Sequence, residues 1–108
     1  MNNSSSAIRH IVIFKYKEGA TGDQIQQVTN EFRTLQNKIS GILSFEHGVN
    51  NSPEGLNLGF SHVYTLTFES MQARETYLPH PQHKLFGEFL GRLGILEDVF
   101  VVDYFPAA

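Results

Sequence analysis

Residues 8–17, Ile-Arg-His-Ile-Val-Ile-Phe-Lys-Tyr-Lys, constrain the fold more than any other stretch of this chain. β-Branched and aromatic residues dominate it, and Glu18, Gly19 and Ala20 close it, so it reads as a strand. One parity carries Ile8, His10, Val12, Phe14 and Tyr16; the other carries Arg9, Ile11, Ile13 and Lys15. Both faces are apolar in the middle, which a strand sustains only when each face is covered. Helices on one side of a sheet, and something further on the other, are what this stretch requires.

A second strand over residues 60–68 shares that two-faced character. Phe60, His62, Tyr64, Leu66 and Phe68 alternate with Ser61, Val63, Thr65 and Thr67. Glu69 and Ser70 end it, Ser70 is a good N-cap for a helix from Met71, and the run Tyr77-Leu78-Pro79-His80-Pro81 stops that helix after two turns. Between these strands, Thr21 with Gln24 forms a capping box before Ile25, Val28, Phe32, Leu35 and Ile39 at helical spacing, with a stop near Gly41. Residues 42–49 read as a weaker, less completely buried strand. Residues 50–59 hold turn formers at nearly every step and read as a surface loop; they have neither the glycine spacing nor the lysine of a phosphate-binding loop. Pro81 starts a further helix, Leu85, Phe86, Phe89, Leu90 and Leu93 mark its apolar face, and Gly94 ends it. Residues 99–105 form the last strand, closed by Pro106.

The order strand-helix-strand, repeated, predicts an α+β chain: a ferredoxin-like split βαβ sandwich with a four-stranded antiparallel sheet and helices on one face. If the parity of His10 faces the helices, Ile11, Ile13 and Val63 face outward, and a second copy of the sheet is the simplest cover. A homodimer is expected. The nine Phe of the sequence fit such a second buried surface, or a single Phe-rich core.

With 108 residues there is room for one domain: residues 1–7, polar and rich in Ser and Asn, are expected as a disordered tail and residues 8–108 as the folded unit. Eight basic and eleven acidic residues give a net charge of -3, with no run of Lys or Arg, so neither nucleic acid nor a membrane is expected as partner. Without Cys there is no disulfide, thiolate chemistry or sulfur-ligated metal, which fits a cytoplasmic setting.

Several segments together resemble the stress-responsive dimeric A/B barrel family, from Ile8 to Tyr104. They are Arg9-His10-Ile11-Val12 opening the chain, Gly59-Phe60-Ser61-His62 opening the central strand, Phe68-Glu69-Ser70 ending it, and Tyr77 with His80-Pro81-Gln82-His83 after it. The resemblance implies a homodimer whose two sheets close into a dimeric α/β barrel with helices outside. One plant member of that family is a polyketide cyclase that closes a linear thioester by an intramolecular aldol reaction without metal or cofactor. Its catalytic tyrosine and histidine fall on Tyr77 and His83, and its further pocket histidines fall on His10 and His62. The wall at Gly87, Phe89, Leu90 and Leu93 departs from that pattern.

The chemistry of these residues agrees with that carry-over. His10 and His62 share the inward parity, where apolar neighbours favour neutral, hydrogen-bonded rings. His83 can take a proton from carbon beside a carbonyl, and the Tyr77 hydroxyl can donate to the oxygen that becomes negative. His80 is grouped with His10 and His62 as substrate-binding, with a small-molecule ligand as partner. The plain alternative is that Pro81 only needs a rigid helix start, that His83 packs or caps, and that His10 and His62 are satisfied core groups. His80 and His83 are spaced to ligate a metal, but no carboxylate is near in sequence and neither metal nor cofactor is expected. His47, on another strand, has no motif partner and reads as a surface or edge residue. Two functions stay open: a cofactor-free lyase or cyclase acting by proton transfer on a carbonyl compound, and a non-enzymatic, stress-associated structural dimer. A cofactor-independent monooxygenase has less behind it, since the chain has no Trp.

Overall fold

A computed structural model describes residues 6–107. Of the expected tail, only Ser6 and Ala7 fall among them. The elements are β1 (Ile8–Tyr16), α1 (Gly22–Lys38), β2 (Ile42–Val49), β3 (His62–Phe68), α2 (Met71–Tyr77), α3 (Pro81–Leu93) and β4 (Leu96–Tyr104). The four strands form one sheet in the order β2-β3-β1-β4, every neighbouring pair antiparallel. This is the ferredoxin-like α+β fold that the element order predicts, with a third helix because Pro79 and Pro81 divide the second crossover.

Local chemistry accounts for most of the boundaries. Thr21 caps α1: its hydroxyl accepts from Gln24 N at 3.1 Å while the Gln24 amide oxygen accepts from Thr21 N at 3.0 Å. Ser70 caps α2 through Ala73 N, Pro81 occupies the first turn of α3, and Gly94 ends α3 at φ 64°. Gly41 lies at φ 94° against α2, where an added Cβ would come within 2.6 Å of the Ala73 Cβ. Only glycine meets both demands.

The expected parity holds on β1. Ile8, His10, Val12 and Phe14 are buried toward the helices, together with Tyr64, Leu66 and Phe68 of β3 and Val28, Phe32, Leu35 and Phe86. Phe32 is the hub of the aromatic core, its ring 4.7 to 6.1 Å from those of Phe14, Phe45, Tyr64 and Phe86. The Phe residues divide between the two expected fates, since Phe14, Phe32, Phe68 and Phe86 are buried while Phe100 is 52 % exposed on the opposite face. That outer face carries Ile11, Ile13 and Val63, as expected, and adds Val102 and Phe100 opposite Ile11 and Ile13. No described helix covers it: the helices pack on the side of the sheet that carries His10 and Phe14.

Two strands begin elsewhere than the residue pattern suggests. β3 starts at His62 because the left-handed Gly59 and a turn closed by Phe60 N to Asn57 O occupy the residues before it. β4 starts at Leu96, three residues before the expected Val99. Glu97 and Asp98 look like turn formers, yet on an edge strand they project to solvent, and Glu97 Oε2 meets Lys15 Nζ at 3.2 Å.

Candidate functional site

Between the sheet and the two short-loop-linked helices α2 and α3 lies a cavity of about 260 Å³. His10, Val12 and Phe14 of β1 form its floor, Val99 and Val101 of β4 one side, and Tyr77, Leu78, His83, Phe86 and Leu90 its roof. The lining is mostly apolar, with a few polar groups converging on one end, as ligand pockets commonly are.

At that end sit Tyr77, His83 and His10. The Tyr77 ring lies 4.3 Å from that of His83, 5.9 Å from His10 and 4.9 Å from Phe68, centroid to centroid. Tyr77 is 1 % exposed, and its hydroxyl has no hydrogen-bond partner among the described residues. Burial raises its pKa above the ordinary phenol value, so it is a donor. His83 Nδ1 is 2.9 Å from the Leu78 carbonyl oxygen. A carbonyl only accepts, so Nδ1 carries the hydrogen, and in the neutral ring Nε2 is the nitrogen with the lone pair. The kink at Pro79 produces this arrangement, because it frees the last carbonyls of α2 for a side chain from α3.

His10 is fixed in the same way. Its Nδ1 donates to Asp103 Oδ1 at 2.7 Å, and Arg74 Nη1 donates to the other carboxylate oxygen at 3.2 Å. Burial holds His10 below the ordinary histidine pKa against the opposing pull of Asp103; His83 and Arg74 add to the lowering. The ring is therefore neutral at neutral pH, with its Nε2 unprotonated. Neither Asp103 nor Arg74 is evident from the residue pattern. The available signal was one acidic residue within the apolar run Val99–Tyr104, 93 positions from the histidine it pairs with across the β1–β4 ladder.

His62 and His80 stand apart from this group. His62 faces the helix side, but the antiparallel register sets it opposite Phe14, whereas His10 is opposite Leu66. Parity fixes the face and not the position along it: four residues at about 3.3 Å each put His62 roughly 13 Å along the strand from the level of His10. It does not line the cavity. Its Nδ1 instead lies 3.0 Å from His47 Nε2, the two rings stacking at 5.3 Å. His47, for which no partner was expected, thus has one, although its place on the edge strand β2 is as expected. Beside the pair, the Tyr64 hydroxyl bridges Thr29 at 2.8 Å and Tyr16 at 2.9 Å. His80 caps α3, its Nδ1 accepting from Gln82 N at 3.0 Å, and is likewise outside the cavity lining. Among the described residues no group of three or more His, Asp or Glu gathers as a metal ion would need. No described helix is long and apolar enough to cross a membrane.

Comparison with known proteins agrees with this architecture. The stress-response A/B barrel domain-containing protein HS1 of Arabidopsis thaliana is 31 % identical over 108 residues, all of this chain and 97 % of that protein. Olivetolic acid cyclase of Cannabis sativa is 26 % identical over 100 residues, 93 % of this chain and 97 % of the cyclase. Among solved structures, the hydroxynitrile lyase from Passiflora edulis superposes with a TM-score of 0.84 at 26 % identity, covering 95 % of both chains. A dimeric protein of ferredoxin-like fold from Bacteroides fragilis superposes at 0.68 with 27 % identity, covering 92 % of this chain and 95 % of its own. Residues 8–106 match the family described as Stress responsive A/B Barrel Domain, and this chain belongs to that family.

Proposed function

We propose that this protein is a cytoplasmic homodimer that binds a small carbonyl compound in the Tyr77–His83 cavity and acts on it by proton transfer, as a cofactor-free lyase or cyclase. The observation that carries the reading is the Tyr77 hydroxyl, buried and without a hydrogen-bond partner among the described residues at the polar end of an apolar cavity, beside a histidine whose Nδ1 is taken by the Leu78 carbonyl and whose Nε2 is not. A buried hydroxyl without a partner costs stability, so its retention suits a group kept for a ligand.

In the ring-closing direction, His83 Nε2 takes a proton from the carbon beside a carbonyl. The electron pair moves to the carbonyl oxygen, where Tyr77 O–H donates to the developing charge. The enolate carbon attacks a second carbonyl of the same molecule, one carbon–carbon bond forms, and His83 returns its proton to the new alkoxide. A lyase runs the corresponding steps in reverse. His10, held by Asp103 and Arg74, offers a second unprotonated nitrogen to orient a substrate hydroxyl. The names of two relatives, a cyclase and a lyase, agree with both directions.

The dimer is supported by the outer sheet face, where no described helix covers Ile11, Ile13, Val63, Phe100 and Val102, and by relatives described as dimeric. That same face also favours the second reading, a structural dimer without turnover. A screen of linear carbonyl compounds against wild type and His83→Ala separates them. Turnover by wild type that falls at least ~100-fold in the variant, at unchanged melting temperature, supports the enzyme. Turnover equal in both removes His83 from the mechanism.

A further inference from the structure

Beyond His83 the cavity does not close. Gly87, Leu90 and Leu96 line it and also line a second depression of about 370 Å³, together with Lys17, Gly91 and Gly94. The two make one groove between α3 and β4, with Tyr77, His10 and His83 at one end and Lys17 at the other. Gly87 and Gly91 are four apart on α3 and so share a helix face. A Cβ built on either would meet nothing within 4 Å, and neither has a positive φ. Glycine inside a helix is less favourable than alanine, and here neither crowding nor backbone conformation calls for it. Its effect is to leave the groove wall bare. The independent sign of a ligand is the Tyr77 hydroxyl, 1 % exposed as a residue and unpartnered, at the closed end of the same groove. At the open end the Lys17 ammonium makes no ion pair among the described residues, whereas its neighbour Lys15 is taken by Glu97.

Resting on the reading of the cavity as a carbonyl site, we propose that the substrate is a linear carbonyl compound with a long apolar chain ending in a carboxylate. The chain lies over Gly87 and Gly91 between Leu90 and Leu96, and the carboxylate meets Lys17. From His83 to Gly94 the helix rises roughly 16 Å at about 1.5 Å per residue, which suits an extended chain and not a compact ring.

Calorimetric titration of wild type, Gly91→Leu and Lys17→Glu with decanoate and with decanamide reads binding alone, since neither probe needs to react. Wild type is expected to bind decanoate more tightly than decanamide. Gly91→Leu fills the groove with a side chain and should weaken both by about tenfold or more, while melting no lower than wild type because leucine is the better helix former. Lys17→Glu should weaken decanoate several-fold and leave decanamide unchanged. Equal decanoate binding by Gly91→Leu and wild type overturns the chain position, and equal treatment of the two probes by Lys17→Glu overturns the carboxylate. Failure of the proton-transfer chemistry would show instead as turnover that survives His83→Ala, with these affinities unaffected.

Discussion

Replacing Tyr77 by Phe should make this protein more stable and less active at once. The ring makes the packing contacts, 4.9 Å from Phe68 and 4.3 Å from His83, and Phe keeps all of them. The hydroxyl contributes no hydrogen bond among the described residues and is buried by the walls of an apolar cavity. An orphaned buried hydroxyl costs about 1–3 kcal/mol, so its removal should return about 1 kcal/mol at the low end. For a domain of this size that raises the melting temperature by about 4–8 °C, measured at fixed protein concentration so that dimerisation does not shift the comparison. Turnover moves the other way. Loss of a donor aimed at a developing oxyanion typically lowers kcat by about 100- to 1000-fold. Differential scanning calorimetry and the same carbonyl assay are then read on one variant. A Tyr77→Phe protein that melts several degrees lower and keeps its activity would refute the reasoning, because the hydroxyl would then be a structural donor with a partner of its own.

The outer face and the histidines of the helix-facing side give two further expectations. Ile13→Asp places a charge in the middle of the uncovered apolar face; light scattering at micromolar concentration should report a dimer for wild type and a monomer or an unfolded chain for the variant. A stable Ile13→Asp dimer would place the interface elsewhere. The pKa values of His10, His47 and His62 are all lowered in the fold, chiefly by burial, from an ordinary value of 6.5. Below that value the unfolded chain binds the protons that the folded chain refuses, so stability is full above about pH 6.5 and declines as the pH falls through the lowered folded values. Thermal melts across that range should show the decline, and His47→Phe, which removes one titrating ring of the stacked pair, should reduce its slope.

Much of the fold was legible in the residues because it is written locally. Two-parity alternation gave the inward face of β1, and the Thr21–Gln24 box, Ser70, Pro81 and Gly94 gave the helix ends, each through contacts a few positions apart in sequence. The start of β4 was not legible, since Glu97 and Asp98 are strand residues only by virtue of lying on an edge. The site was legible in part for the same reason. Tyr77 and His83 flank one proline-broken corner, and their proximity follows from it. What His10 and His62 each meet depends on strand register, which alternation leaves undetermined: one slides to Asp103 and the other to His47.

The contact between Gly41 and Ala73 bears on how far such a protein can drift in sequence. Neither residue touches the cavity, yet α2 rests on Gly41 through Ala73, and Tyr77 stands one turn further along that helix. A methyl group added at either position lifts the helix from the sheet corner and carries the phenol with it. Position 41 should therefore stay glycine whatever stands at 73, since its φ of 94° strains any side chain, and a lineage that enlarged position 73 would relocate its hydroxyl donor before any residue lining the cavity had changed.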